Sequence, residues 1–502
     1  MAYPADPDLS RRAFLQIAAG TTVATGLSGC VATNPATGRQ SFTGLYSPED
    51  DIKLGQGEHP KLVKAFGGEY PDRKLQSYIQ RTGQRLAAHT EFQQFPYRFT
   101  LLNSPIVNAF ALPGGFVYIS RGLLALASNE AELAGVLGHE LGHVNARHST
   151  ERISATKLAQ FGVLAGALGA SLLGLPGESI AQLGQQIALL SIKSYSRSQE
   201  FEADMLGVRY MSKAGYEPDA MVNFLASLHQ QSQLEARSLG LPPGKIDQYN
   251  MLSTHPRTVD RVREAQAAAN TARPTTPRIG RKDYLTSIDG MLFGDDPSDG
   301  IIQGRRFIHP GFRFEFSVPA EFRIRNSPEK VIAQDRHGAA IVFDIAPIRK
   351  ARDMRNYIRR EWATKASLSH LEAININGFT SATATTRTRT RQGVVNVRMV
   401  ALRRDAKTSY RLLFITPQAR AKKLEPALRQ TTYSFRSLSA QQAKAVSPLR
   451  LHVQRVKKGT RVEQLANQLP YGALNSAWFR VLNDIAPGQQ PASGQTLKLF
   501  HV

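Results

Sequence analysis

Two histidines and a glutamate in "HELGH", residues 139–143, have the types and spacing to do chemistry. On a helix, His139 and His143 lie four residues apart on one face, so both imidazoles can reach a single metal ion. Glu140, one position after the first ligand, is rotated toward the open side of that ion, where a water would sit. Zinc lowers the pKa of such a water, and a carboxylate beside it takes the proton as the oxygen attacks a carbonyl. His148 falls outside the pattern and reads as a surface or capping residue.

A catalytic zinc needs a third protein ligand and an open fourth position. The best supplier is "SRSQEFEADMLGVRYM", a run of helical periodicity holding Glu200, Glu202 and Asp204. Glu200 and Asp204 share a face, while Glu202 points roughly 200° away from Glu200. One face thus offers a metal-binding carboxylate and, one turn on, a second carboxylate to accept a histidine N–H and orient its ring. His255, in "MLSTHPRTVDR", is either a structural histidine held beside Pro256 or a gating ligand that occupies the open zinc position. "LAQFGVLAGALGASLLGLPG", residues 158–177, carries no charge, but Pro176 and five glycines argue against a spanning helix. It reads as a core or lid segment over the cleft, with a membrane-dipping element as the alternative.

"NAFALPGGFVYISRGLL", "GHELGHVNARH", "SRSQEFEAD" and "STHP", in this order, resemble the zinc metalloendopeptidase family that includes the CAAX prenyl endopeptidases. Bacterial relatives in that family include membrane heat-shock proteases and periplasmic proteases of outer-membrane quality control. The resemblance covers roughly residues 50–270. It implies a mainly α-helical zincin of the gluzincin type with a small edge-strand sheet. It further implies one zinc per chain at His139, His143 and Glu200, Glu140 as general base and Asp204 in a supporting role. "ALPGGFVYIS" would supply an edge strand along the cleft, to which an extended substrate adds through main-chain hydrogen bonds.

The elements that must position these groups occupy only part of the 502 residues, a length that calls for two to four domains. Residues 1–29 read as an export signal. "SRRAFLQ" resembles a twin-arginine motif, and "LSGC", ending at Cys30, resembles a bacterial lipobox whose thiol becomes lipidated. Residues 30–50 suit a tether, 51–270 the protease domain and 271–304 a linker, marked by "NTARPTTPRIGRK". From 305 to 440, alternating runs such as "FRFEFSV" and "AAIVFDI" indicate an α+β domain with an antiparallel sheet. Residues 446–502 read strand, helix, helix, strand and form a separate unit that resembles a LysM module, although Gly-Thr-Arg stands where Gly-Asp-Thr is usual. Cys30 is the one cysteine, so no intramolecular disulfide forms.

The net charge of +23 suits an anionic envelope surface, headgroups or peptidoglycan, and export argues against nucleic acid as a partner. Taken together, the residues indicate a zinc endopeptidase, lipid-anchored through Cys30 at the periplasmic face of the outer membrane. Its substrates would be unfolded or misassembled envelope proteins. The alternative is an envelope chaperone or binding lipoprotein whose proteolysis is latent.

Overall fold

Asn129 starts the helix that carries the HELGH run. Its side chain accepts a hydrogen bond from the Glu132 backbone N–H at 2.9 Å. Glu130 and Glu132 sit in the first turn, at the positive end of the helix dipole. The computed structural model describes residues 32–41, 43, 46–156, 195–238, 255, 264, 267, 274–390 and 393–502. The export signal, Cys30 and the uncharged 158–177 segment lie outside the described residues.

In chain order the first region has α1 (Pro48–Ala65), α2 (Arg73–Ala87), β1 (Arg98–Leu102), β2 (Ala109–Leu112), β3 (Phe116–Ser120), α3 (Arg121–Leu126) and α4 (Glu130–Asn145), the HELGH helix. Then come α5 (Arg197–Lys213), which carries the acidic run, α6 (Asp219–Ser238) and α7 (Arg281–Ile288). Every residue of α4 is buried, so the helix needs neighbours on all sides. It packs against α2, α5, α6 and the strand β2.

Glycines set the closest of these contacts. A Cβ at Gly142 would stand 2.6 Å from the Ala203 carbonyl oxygen, and one at Gly207 would stand 2.9 Å from the His139 backbone nitrogen. Only the missing side chains let α4 and α5 come this near, and that approach brings the histidine face of one helix onto the carboxylate face of the other.

The small sheet has the order β1-β3-β2, with β3 parallel to β1 and antiparallel to β2. Of "ALPGGFVYIS", the stretch expected to supply an edge strand, Ala111 and Leu112 belong to an edge strand and the rest does not. Phe116–Ser120 is the central strand, hydrogen-bonded on both sides, and the edge strand beside the HELGH helix is Ala109–Leu112.

The second region is an antiparallel α+β body. It holds β4 (Ile301–Gln303), β5 (Arg306–His309), β6 (Phe314–Ser317), β7 (Arg323–Asn326), β8 (Lys330–Gln334), β9 (Ala340–Pro347), β10 (Ser369–Ile376), β11 (Phe379–Thr390), β12 (Gly393–Arg403), β13 (Thr408–Pro417), α8 (Ala421–Ser434) and β14 (Arg436–Ser437). Seven strands pair in the order β10-β11-β12-β13-β9-β8-β7 and four in the order β14-β6-β5-β4. Phe314, Phe316, Phe343, Tyr410 and Phe435 fill the core of this body.

Two organisational expectations change. The stretch read as a linker contains α7, whose Tyr284, Leu285 and Ile288 are buried in the core of the first region. The C-terminal stretch, β15 (Arg450–Arg455), α9 (Val462–Leu465), α10 (Asn475–Asn483) and β16 (Thr496–His501), has its two strands paired antiparallel. It is not a separate body. Trp478, Phe479, Leu497, Leu499 and Phe500 belong to the same core as α2, α4 and α6, and the Lys498 ammonium is buried against the carbonyls of Ala125, Leu126 and Ala127. An apolar face in a sequence shows that something is covered but not which neighbour covers it. No helix among the described residues is long and apolar enough to cross a membrane.

Candidate metal centre

The capping box at Ser196 and Gln199 fixes the start of α5, and Glu200 follows one residue later. Across from it, His139 Nε2 and His143 Nε2 face each other at 3.1 Å. Glu200 Oε1 lies 3.4 Å from His143 Nε2, and its Oε2 lies 3.7 Å from His139 Nε2. His255 enters from outside both helices, with Nδ1 2.9 Å from Glu200 Oε1 and 3.2 Å from His139 Nε2. Each of His139, His143, Glu200 and His255 offers a ligand atom within 4.8 Å of the others, and all four are buried. The residues expected to gather are gathered, His255 included.

The protons on the rings follow from what surrounds them. Asp204 Oδ1 lies 2.8 Å from His139 Nδ1, and an ionised carboxylate only accepts, so Nδ1 carries the hydrogen and Nε2 keeps a lone pair. Glu202 Oε2 lies 2.8 Å from His148 Nε2, which places a hydrogen there by the same reasoning. His148 Nδ1 then accepts from His143 Nδ1–H at 2.8 Å, leaving a lone pair on His143 Nε2 as well. Two lone pairs 3.1 Å apart beside a carboxylate repel one another, and a cation between them removes the repulsion. Two imidazole nitrogens and a glutamate are a zinc donor set, so these residues fit that ion.

Burial shapes the charges. It pushes the Glu140 carboxyl above its usual range against the pull of His255 and His139, and it holds His143 well below the ordinary imidazole value. It also works to raise Glu200, but the His255 and His143 imidazoles outweigh it and keep that carboxyl well below its usual range. Among the described residues neither oxygen of Glu140 accepts a hydrogen bond, although His255 Nε2 stands 3.4 Å from Oε1. A buried, raised carboxylate with this much spare acceptor capacity is suited to take up a proton.

His148 is the correction at this site. Its expected place was the surface or a helix cap, and it is fully buried in contact with His143. Helix α4 ends at Asn145, and Arg147 adopts a left-handed backbone, φ 56°, that turns the chain back so that His148 meets the ring one turn behind it. A non-glycine residue in this conformation needs compensation. Arg147 has it in hydrogen bonds to Asp51 at 2.7 Å and to the Tyr46 carbonyl at 2.7 Å. Periodicity carries no sign of such a reversal. Tyr195 was also missed: its ring stacks on His143 with centroids 3.8 Å apart, and its only signal was a position just before the capping serine.

Residues 73–269 match peptidase family M48. The beta-barrel assembly-enhancing protease of Yersinia pestis is 31% identical over 302 residues, covering 55% of this chain and 59% of that one. The protein of the same name from Escherichia coli (strain K12) is 32% identical over 230 residues, 44% of this chain and 45% of that one. The mitochondrial metalloendopeptidase OMA1 of Schizosaccharomyces pombe is 27% identical over 238 residues, 46% of this chain and 64% of that one. The chain thus spans about half to two thirds of the length of these curated relatives. HELGH, the acidic helix and the histidine at 255 all fall inside residues 73–269, the stretch over which the chain is similar to peptidase family M48.

Proposed function

We propose that the chain is a zinc-dependent endopeptidase that cleaves misfolded or unassembled cell-envelope proteins. The observation that supports it most is the buried convergence of His139, His143, Glu200 and His255 beside the Glu140 carboxylate. His139, His143 and Glu200 would hold the metal, and zinc bound there would supply a Lewis acid toward a peptide carbonyl. Glu140 takes a proton from the attacking water and returns it to the leaving amine. Asp204 orients His139. The edge strand Ala109–Leu112, beside the HELGH helix, offers main-chain groups to an extended substrate, a mode that tolerates many side chains.

The envelope setting is supported by the export signal, the lipobox at Cys30 and relatives named for beta-barrel assembly. We place the protein at the periplasmic face of the outer membrane, held by a lipid on Cys30. Labelled fatty acid should be absent from a Cys30→Ala protein; label on that variant would contradict the anchor. The C-terminal unit is read as LysM-like, directed at peptidoglycan or another anionic envelope surface. Residues 305–440 are read as an accessory domain.

One observation favours latency. Every side chain of the cluster is buried, and His255 offers a fourth ligand atom where a catalytic zinc would keep an open position. A gating His255 accommodates both this closed state and proteolysis, and a chaperone-like role would use the closed state alone. Comparing envelope proteomes of cells carrying wild-type and Glu140→Gln protein separates the two. Accumulation of outer-membrane proteins in the variant supports the protease, and unchanged proteomes with full cellular activity support the chaperone.

A further inference from the structure

The two metal-facing imidazoles are backed by carboxylates in different ways. His139 meets Asp204 directly, whereas His143 meets its carboxylate through a second imidazole. We propose that His148, oriented by Glu202, is a positioning residue that locks His143 in its Nδ1–H form and so fixes the lone pair of His143 Nε2 toward the metal. The inference rests on the zinc reading above and extends it to two residues outside the ligand set.

The geometry has two parts. His148 Nδ1 and His143 Nδ1 are 2.8 Å apart with ring centroids at 5.0 Å, an in-line contact between nitrogens. At the far end, Glu202 Oε2 is 2.8 Å from His148 Nε2, and the Arg39 guanidinium stands 3.4 Å from the same oxygen and holds it in place. Reversing the direction of the chain is costly. A hydrogen on His148 Nδ1 would leave a bare Nε2 lone pair against the Glu202 carboxylate, and His143 would then carry its hydrogen on Nε2, where the metal must bind. Packing alone would not require this polarity, since an apolar residue would fill the same buried space. The left-handed turn at Arg147, tied to Asp51, delivers His148 to this position.

The test is zinc affinity of the metal-free full-length protein, measured by competition with a chromophoric chelator. Wild type should bind one zinc. His148→Leu should bind it about 10–100-fold more weakly, the loss expected when a ligand's backing partner is removed. His148→Asn, whose carboxamide oxygen can still accept from His143 Nδ1–H, should recover most of the affinity. Glu202→Ala, at a partly exposed position, should show an intermediate loss. In 15N-histidine-labelled metal-free protein the His143 signals should report Nδ1–H in wild type and a tautomer mixture in Glu202→Ala. His148→Leu binding zinc within threefold of wild type would overturn the proposal. If that variant does not fold, an unaltered His143 tautomer and affinity in Glu202→Ala would overturn it instead. Failure of wild type to bind zinc would strike the functional reading itself, which these results keep distinct.

Discussion

At the scale of single residues, the convergence of His139, His143 and Glu200 was readable because helical phase is a strong constraint. His139 with His143, and Glu200 with Asp204, are pairs four apart, and each pair must face one way. His148 was not readable because its position depends on the backbone sign of Arg147, which no periodicity encodes. Glu202 was correctly turned away from the ligands, but its tie to His143 through His148 is a tertiary fact. Metal analysis should therefore discriminate finely. His139→Ala, His143→Ala and Glu200→Gln should each lose the zinc, while Glu202→Gln should keep full stoichiometry because its amide oxygen still accepts from His148 Nε2–H. His255→Ala should also keep it, since three ligands remain, and should raise casein turnover if His255 gates the site. Elemental analysis with metal missing from Glu202→Gln and present in Glu200→Gln would reverse the assignment.

At the scale of elements, the glycines of HELGH and of the acidic run matter as much as the ligands. The close approach that Gly142 and Gly207 permit appears only when α4 and α5 are seen in contact. Gly142→Ala should push the helices apart, lower stability by about 1–3 kcal/mol through overpacking, and weaken zinc binding although no ligand has changed. Gly57→Ala is the control. It lies on an exposed face of α1 with nothing near its missing Cβ, and should be neutral or stabilising by about 0.5–1 kcal/mol. Urea melts and zinc titrations of the two variants check both. The sheet shows the complementary limit. The strand content of "ALPGGFVYIS" was legible, but the edge was assigned to a stretch that includes the central strand, because pairing order is set by neighbours distant in sequence.

At the scale of the whole molecule, domain texture was legible and domain independence was not. The change from helical to alternating patterns marks the α+β body, since alternating runs such as "FRFEFSV" and "AAIVFDI" form strands there. The C-terminal unit displays its own strand-helix-helix-strand order, but its apolar faces close the core of the first region. Phe500 packs on Phe293 with centroids 4.4 Å apart, and the Leu451 backbone bonds to Gly290 and Met291. A chain ending at residue 445 should consequently fail to fold its protease region, losing near-UV dichroism and becoming sensitive to trypsin. Lys498→Met should weaken the same interface by about 1–3 kcal/mol, because the buried carbonyls of Ala125, Leu126 and Ala127 lose their donor. A truncated chain that melts cooperatively at the wild-type temperature would show the unit to be separate after all.

The proposed protease requires Glu140 to act as a base beside a metal held by other residues. Zinc content and casein hydrolysis should be measured on one preparation each of wild type and Glu140→Gln. The expected result is one zinc per chain in both, with hydrolysis in the variant lower by about 10²–10⁴-fold, the usual contribution of general-base catalysis. A Glu140→Gln protein that keeps its zinc and cleaves casein at the wild-type rate would show that Glu140 is not the base.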